Sequence, residues 1–424
     1  MRRRTYLATA TAVGVAGCTE LGLTGSETGP DDESPTSDDE PPEIEGPDDD
    51  GTIDDFADFE GWSVLAGAAS LDEEDALVGE RSVLLEASTD DEEARIVREL
   101  PEPLDCSEMS PGLAMASEET IAPRIQLFDS SGNGVNFRAM TQVNELYRCN
   151  FGAVAADGDA DLSDIVEIHI AYYVDDETER RLRLDDLHLV PRPEEGLVVL
   201  QFDGGDESIA TEALPTLEEY GYPATAFVPT GLIRAEASHD GRRLTEAQLD
   251  DLVDAGWMIG SYGINGQNLA DYSAADRADQ ITASRPWLED EGYGEGARYF
   301  SYPRGRYDEE SLELVGDTYE IGFVGRYPVQ GYVANSARYP RIVDPDVENA
   351  DALLERTADL GGITTLTYYA IDGDSAERFE ETMAILDEYV SDGDLEVITT
   401  RDLESEYVFE PASNAESESE SDSE

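Results

Sequence analysis

The chain has 424 residues, 40% of them hydrophobic, which is enough for two or three domains with real cores and excludes disorder throughout. Its 98 acidic residues face 27 basic ones, all arginine, for a formal charge of -71, so phosphate would be repelled and nucleic acid is not an expected partner. The acids are dispersed, as suits a protein adapted to molar salt, where the screening length falls to roughly 3 Å and self-repulsion fades.

Residues 1–17 join Arg2, Arg3 and Arg4 to a weakly apolar run too short to span a bilayer as a helix. Residues 18–55 read as an acidic, extended linker of Gly, Ser, Thr, Asp and Pro, and residues 407–424 as a low-complexity acidic tail. Residues 56–192 predict an all-β domain. Alternating runs such as RSVLLEAS, RIQLFDSS, VEIHIAYYV and LRLDDLHLV are separated by turn residues, the pattern of a β-sandwich. His169 and His188 alternate with apolar residues there and read as packing or surface positions.

From residue 195 to 406 the texture changes to alternating strands and helices. GLVVLQFDGG, PATAFVPTG, WMIGSYG, ARYFSYPRG, IGFVGR, TTLTYYAI and LEVITTRDL predict strands, and helix patterns lie between them. Thr245 is placed to cap the helix in LTEAQLDDLVDAG. This succession predicts a distorted (β/α) barrel, with its chemistry just after the strands.

The N-terminus resembles an export signal: RRTYL is similar to a twin-arginine motif and VAGC to a lipobox. That resemblance implies cleavage before Cys18, a lipid on its sulfur, and anchorage to the outer face of the cell membrane. Cys106 and Cys149 then remain as either a disulfide or two buried thiols. The runs DFADFEGWSV, GERSVLLEA and LRLDDLHLVP resemble a carbohydrate-binding-module-like jelly roll. Such modules often hold a structural calcium, which would make Asp185 and Asp186 ligands; otherwise the two are solvated carboxylates.

The segments LVVLQFDGGDES, GWMIGSYGINGQNL and YFSYPRGRYD, in that order, resemble the NodB-type polysaccharide deacetylases, which remove acetyl groups from N-acetylated sugars. The resemblance implies an aspartate general base, a divalent metal held by a second aspartate and two histidines, and a late catalytic histidine. Here the first aspartate survives as Asp203, but the metal positions hold Gly204, Tyr262 and Gly266, and Tyr369 stands for the late histidine. Glycine supplies no ligand, and a phenol with a pKa near 10 seldom replaces imidazole on zinc. The last histidine, His239, precedes the second of these segments, so no change of register restores the set. The metal site is expected to be lost and no cofactor is expected; without a metal, nothing activates water or polarises an acetyl carbonyl.

Tyr262, Tyr302, Arg304 and Tyr369 are expected around a groove with Asp203 at its base. They would either stack on sugar rings and bond their hydroxyls, or simply fill the space that imidazoles and metal occupy in the family. Asp203, Asp206 and Glu207 offer a cation site as an alternative. The expected function is binding of envelope or extracellular polysaccharide by a family member that has lost hydrolysis. The alternatives are a deacetylase with a site rebuilt on Asp203, and a structural envelope lipoprotein.

Overall fold

Period-two alternation builds the first half. A computed structural model describes residues 46–48, 50–57, 59–73, 75–174, 178–235, 242–325, 327 and 330–410; Cys18, the signal-like segment, His239 and residues 411–424 lie outside them. The described strands are β1 (Thr52–Asp54), β2 (Trp62–Ala66), β3 (Ala68–Asp72), β4 (Ser82–Ala87), β5 (Glu93–Leu104), β6 (Met109–Ala116), β7 (Arg124–Asp129), β8 (Gly134–Arg138), β9 (Tyr147–Asn150), β10 (Gly152–Asp157), β11 (Ile165–Tyr173) and β12 (Arg180–Pro191). One antiparallel sheet runs β3-β4-β12-β6-β9 with β1 added on β12, and the other runs β10-β8-β7-β11-β5-β2. Leu85, Leu113 and Leu184 of the first share a core with Ile96, Ile125 and Ile170 of the second. Thr52 pairs with His188, so the sheet begins a few residues ahead of the expected boundary at 56.

Of the two alternatives for Cys106 and Cys149, the structure has the pair of thiols and not the disulfide. Cys106 and Cys149 are both free and buried, and burial pushes their thiols up to about 12 and about 11. Cys149 donates instead to the carbonyl of Tyr147 at 3.6 Å.

Asp185 and Asp186 are corrected as well, being fully buried rather than solvated. Asp185 accepts the N–H groups of Leu77 (2.5 Å) and Val78 (3.0 Å) on one oxygen and that of Asp186 (2.7 Å) on the other. Asp186 accepts Arg148 Nε at 2.5 Å and Thr52 Oγ1 at 2.7 Å. Both carboxylates are therefore committed to protein donors, a set that does not fit calcium, and no group of three or more metal-ligating side chains occurs among the described residues. Burial alone would raise the Asp186 carboxyl, but His188 and Arg148 outweigh it and hold it at about 2. Its folded value thus lies below the unfolded one of about 3.9. Its contribution, roughly 2 kcal/mol, is full above pH 4 or so and is lost as the pH falls toward 2. Urea unfolding from pH 5 to pH 2 should show this loss, and Asp186→Asn should flatten it; an unchanged slope in that variant would count against the assignment.

His188 is buried behind Asp186, while His169 lies on the outer face of the second sheet, with Nδ1 3.0 Å from Arg95 Nη1 and Nε2 2.5 Å from Glu167.

The second half is a closed ring of seven parallel strands: β13 (Gly196–Asp203), β14 (Thr225–Val228), β15 (Met258–Ser261), β16 (Tyr299–Ser301), β17 (Ile321–Gly325), β18 (Tyr339–Val343) and β19 (Gly362–Tyr368), with β19 returning to β13. One edge of β13 is filled by β19. Its other edge is divided, Gln201–Asp203 pairing with β14 and Gly196–Val199 with the last strand, β20 (Leu395–Ile398). Around the ring lie α1 (Leu214–Tyr220), α2 (Glu246–Asp254), α3 (Ala274–Thr282), α4 (Ser284–Asp290), α5 (Glu309–Thr318), α6 (Val347–Leu360), α7 (Asp374–Asp392) and α8 (Thr400–Glu406). Thr245 caps α2 as expected, in a reciprocal box with Gln248. The run SAADRADQITASRPWLEDEG, residues 273–292, forms two helices, α3 and α4, meeting at Ala283. The barrel is also tied down past residue 406, because the Phe409 N–H donates to the Val333 carbonyl at 3.0 Å.

The two halves share one apolar core, since Phe300, Tyr302, Tyr307 and Val315 of the barrel pack into the same cluster as the sandwich interior. Asn150 stitches the seam, donating to the Tyr332 carbonyl at 2.7 Å and accepting the Ala334 N–H at 3.0 Å. The Arg338 guanidinium lies between the rings of Tyr147 and Tyr307, 5.1 and 5.3 Å from their centroids. It donates to the Tyr307 hydroxyl at 2.7 Å and to the Met140 carbonyl.

Candidate functional site

The strand ends bring most of the expected positions to one face of the barrel. β13 ends in Asp203, β16 in Ser301, Tyr262 follows β15 and Tyr369 follows β19. Asp203 is fully buried. Its Oδ2 accepts Arg341 Nη2 at 2.5 Å and Ser301 Oγ at 3.0 Å, and Arg341 Nη1 also donates to Gln201 Oε1 at 2.7 Å. The guanidinium sits between the rings of Phe227 and Phe323, 5.5 and 5.7 Å from their centroids. Burial pushes the Asp203 carboxyl up, and Arg341 opposes that rise. Asp203 Oδ1 is buried without a hydrogen-bond partner.

Above this clamp lies a cleft of about 340 Å³, lined by Gly204, Pro229, Arg243, Tyr262, Asn265, Gly266, Arg304 and Tyr369. The Tyr262 hydroxyl accepts the Arg304 N–H at 2.9 Å and is hydrogen-bonded to Tyr369. Arg304 holds a left-handed backbone (φ 61°) between Pro303 and Gly305, a conformation that costs an ordinary residue of order 1–3 kcal/mol and needs support from its surroundings. The Tyr369 N–H donates to Asp344 Oδ1 at 3.1 Å, and Arg243 Nη1 donates to the Gly204 carbonyl at 2.7 Å. The polar loop after β15 is pinned by its backbone: the Thr230 and Gly231 N–H groups donate to the carbonyls of Gly263 and Ile264.

The three positions that the family resemblance assigns to a metal do not fit one. Gly204 has φ +91°, a backbone that side chains rarely adopt. At Gly266 (φ +62°) a Cβ would come within 3.0 Å of the Tyr262 ring and 3.2 Å of Pro229, so the tyrosine occupies the room an imidazole would need. Burial, and then the nearby Asp203, push the Tyr262 phenol well above its ordinary value, so a phenolate ligand is not on offer. The alternative cation site fails too: Asp203 is clamped by Arg341, and Asp206 accepts from Ser208 and pairs with Arg242 at 2.9 Å.

Tyr302 is the misplaced member of the expected groove. It is fully buried on the side facing the sandwich, and its hydroxyl donates to the Ala337 carbonyl at 2.9 Å. Arg341 and Ser301, which fix Asp203, and Arg243, which enters the cleft, were not expected from the sequence. Arg341 lies in the run ARYPRIV, whose proline hides the alternation of Tyr339, Arg341 and Val343 that marks β18.

Residues 191–318 match the family model described as polysaccharide deacetylase. A Bacillus subtilis (strain 168) protein, YxkH, whose name describes a polysaccharide deacetylase, is 30% identical over 132 residues, which is 31% of this chain and 45% of that protein. A poly-β-1,6-N-acetyl-D-glucosamine N-deacetylase of Staphylococcus epidermidis is 26% identical over 156 residues, 34% of this chain and 54% of that one. The chain thus spans about half the length of these curated relatives. Among solved structures, the Bc1960 peptidoglycan N-acetylglucosamine deacetylase is similar with a TM-score of 0.37 at 15% identity, covering 50% of this chain and 90% of that one.

Proposed function

We propose that this polysaccharide deacetylase relative has given up metal-dependent deacetylation and keeps its cleft to bind carbohydrate. The observation that carries the reading is the pair of glycines at the ligand positions: Gly204 on a left-handed backbone, and Gly266 closed off by the Tyr262 ring. Asp203, bound to Arg341 and Ser301, is the remnant of the general base and holds the strand ends together. Tyr369 offers a half-buried ring, and Asn265 and the two arginines offer hydrogen bonds, which suits sugar faces and hydroxyls.

The reading extends to the rest of the chain. RRTYL and VAGC support export and a lipid on Cys18, which would hold the protein at the outer face of the membrane. The jelly-roll-like pattern of the first half supports a second carbohydrate-contacting domain, and the dispersed acids support a high-salt medium.

The test is acetate release from N- and O-acetylated oligosaccharides at molar salt, with and without zinc or cobalt, beside Asp203→Asn. No release above that control is expected, together with measurable glycan binding that Tyr369→Ala weakens roughly five- to tenfold. Release, with or without added metal, that vanishes in Asp203→Asn would show a rebuilt enzyme and overturn the proposal.

A further inference from the structure

Several barrel arginines in this acid-rich chain find a carboxylate. Arg242 pairs with Asp206 and Asp372, Arg277 with Asp308 and Glu310, Arg298 with Glu404, and Arg401 with Glu295. Arg243 and Arg304 make no ion pair among the described residues, although they line the same cleft. The lining contains no carboxylate, in a chain with 98 acidic residues. Asp203, directly below, does not neutralise them, because its charge is bound to Arg341. The Arg304 backbone is held in its left-handed turn by Tyr262, the same residue whose ring fills the room beside Gly266, so one side chain closes that position and places Arg304 at the rim.

We infer that the cleft takes an acidic sugar, a hexuronate residue whose carboxylate is received by Arg304 and Arg243 while its ring lies against Tyr369. This rests on the carbohydrate-binding reading above and names the class of sugar. A guanidinium offers two parallel N–H groups that match a planar carboxylate, and such pairs are among the stronger polar contacts. The cleft, about 340 Å³, is near the small end of the range for ligand sites, about 300–1,000 Å³, which suits one or two sugar rings rather than a long segment of chain. The formal charge of -71 does not forbid an anionic ligand. At molar salt charges farther apart than roughly 3 Å are screened, whereas a contact pair is not.

The experiment is calorimetric titration of the full chain in molar potassium chloride with three probes: an oligogalacturonate, a sulfated neutral-backbone oligosaccharide, and an oligomer of N-acetylglucosamine. The oligogalacturonate is expected to bind at least tenfold more tightly than the neutral oligomer. Arg304→Gln should remove that preference, weakening the oligogalacturonate at least tenfold and the neutral oligomer far less, and Arg304→Lys should restore part of it. The Arg304 side chain makes no hydrogen bond or ion pair among the described residues, so folding is spared, and a circular dichroism melt checks this. Equal or tighter binding of the neutral oligomer would overturn the acidic-sugar assignment and leave the carbohydrate-binding reading standing. Preference for the sulfated probe would overturn the carboxylate. Binding of none of the three would overturn both readings.

Discussion

Replacing Arg341 by methionine is expected to destabilise the protein by about 3–5 kcal/mol, the usual cost of leaving one member of a buried ion pair without its partner. Arg341 is 1% exposed and reaches Asp203, Gln201 and Ser301 from between two phenylalanine rings, so its loss leaves the Asp203 charge buried without its partner. The variant should also gain a pH dependence. Burial already pushes the Asp203 carboxyl above its ordinary value, and losing the guanidinium pushes it further. A raised carboxyl holds its proton more tightly in the folded state, so stability is retained below about pH 4 and declines as the pH rises through the folded value. The double variant Arg341→Met/Asp203→Leu removes both charges and should recover most of the loss, with a flat profile. Denaturant unfolding at pH 5 and pH 8 in molar salt decides this. A single variant within about 1 kcal/mol of the parent at pH 8 would mean that the pair does not hold the strand ends.

The second large effect is expected at the seam. Arg338→Met removes two cation–π contacts and the donors to Tyr307 and Met140, leaving those acceptors buried; a loss of about 2–4 kcal/mol is expected. Because the sandwich and barrel share one core, the parent should unfold in a single transition. The variant weakens the contact between halves more than either interior, so its calorimetric trace should broaden or divide in two. A shift to lower temperature with unchanged shape would show that Arg338 stabilises locally and does not couple the halves.

Much of the barrel was legible because its strands are buried runs punctuated by turns, and its helices carry amphipathic periods and, for α2, a capping box. What was lost had a physical cause in each case. β18 escaped because Pro340 breaks the strand signature, although the ring needs that strand and its arginine to hold Asp203. Tyr302 was placed in the groove because it follows a strand end; nothing in its periodicity says that a second domain covers that side. Asp185 and Asp186 looked like surface because acids are everywhere in this chain, and their burial depends on backbone donors and an arginine from segments far away in sequence. At the site, residue identity was enough to set Gly204, Tyr262 and Gly266 at the positions where the family resemblance implies metal ligands. Only coordinates show that Tyr262 fills the room beside Gly266 and anchors the Arg304 turn.

The divided edge of β13 has a consequence for the timing of folding. This first strand of the barrel cannot complete its hydrogen bonding until β19 and then β20 have been made, nearly two hundred residues later. At synthesis rates of roughly 5–20 residues per second, β13 waits on the order of 10–40 s with an apolar strand half-paired. The sandwich strands are all synthesised before β13, so during that interval the nascent chain holds a finished set of β-strands beside an open ring. The four residues of β20 close that edge, and pairing between segments so far apart in sequence is intrinsically slow.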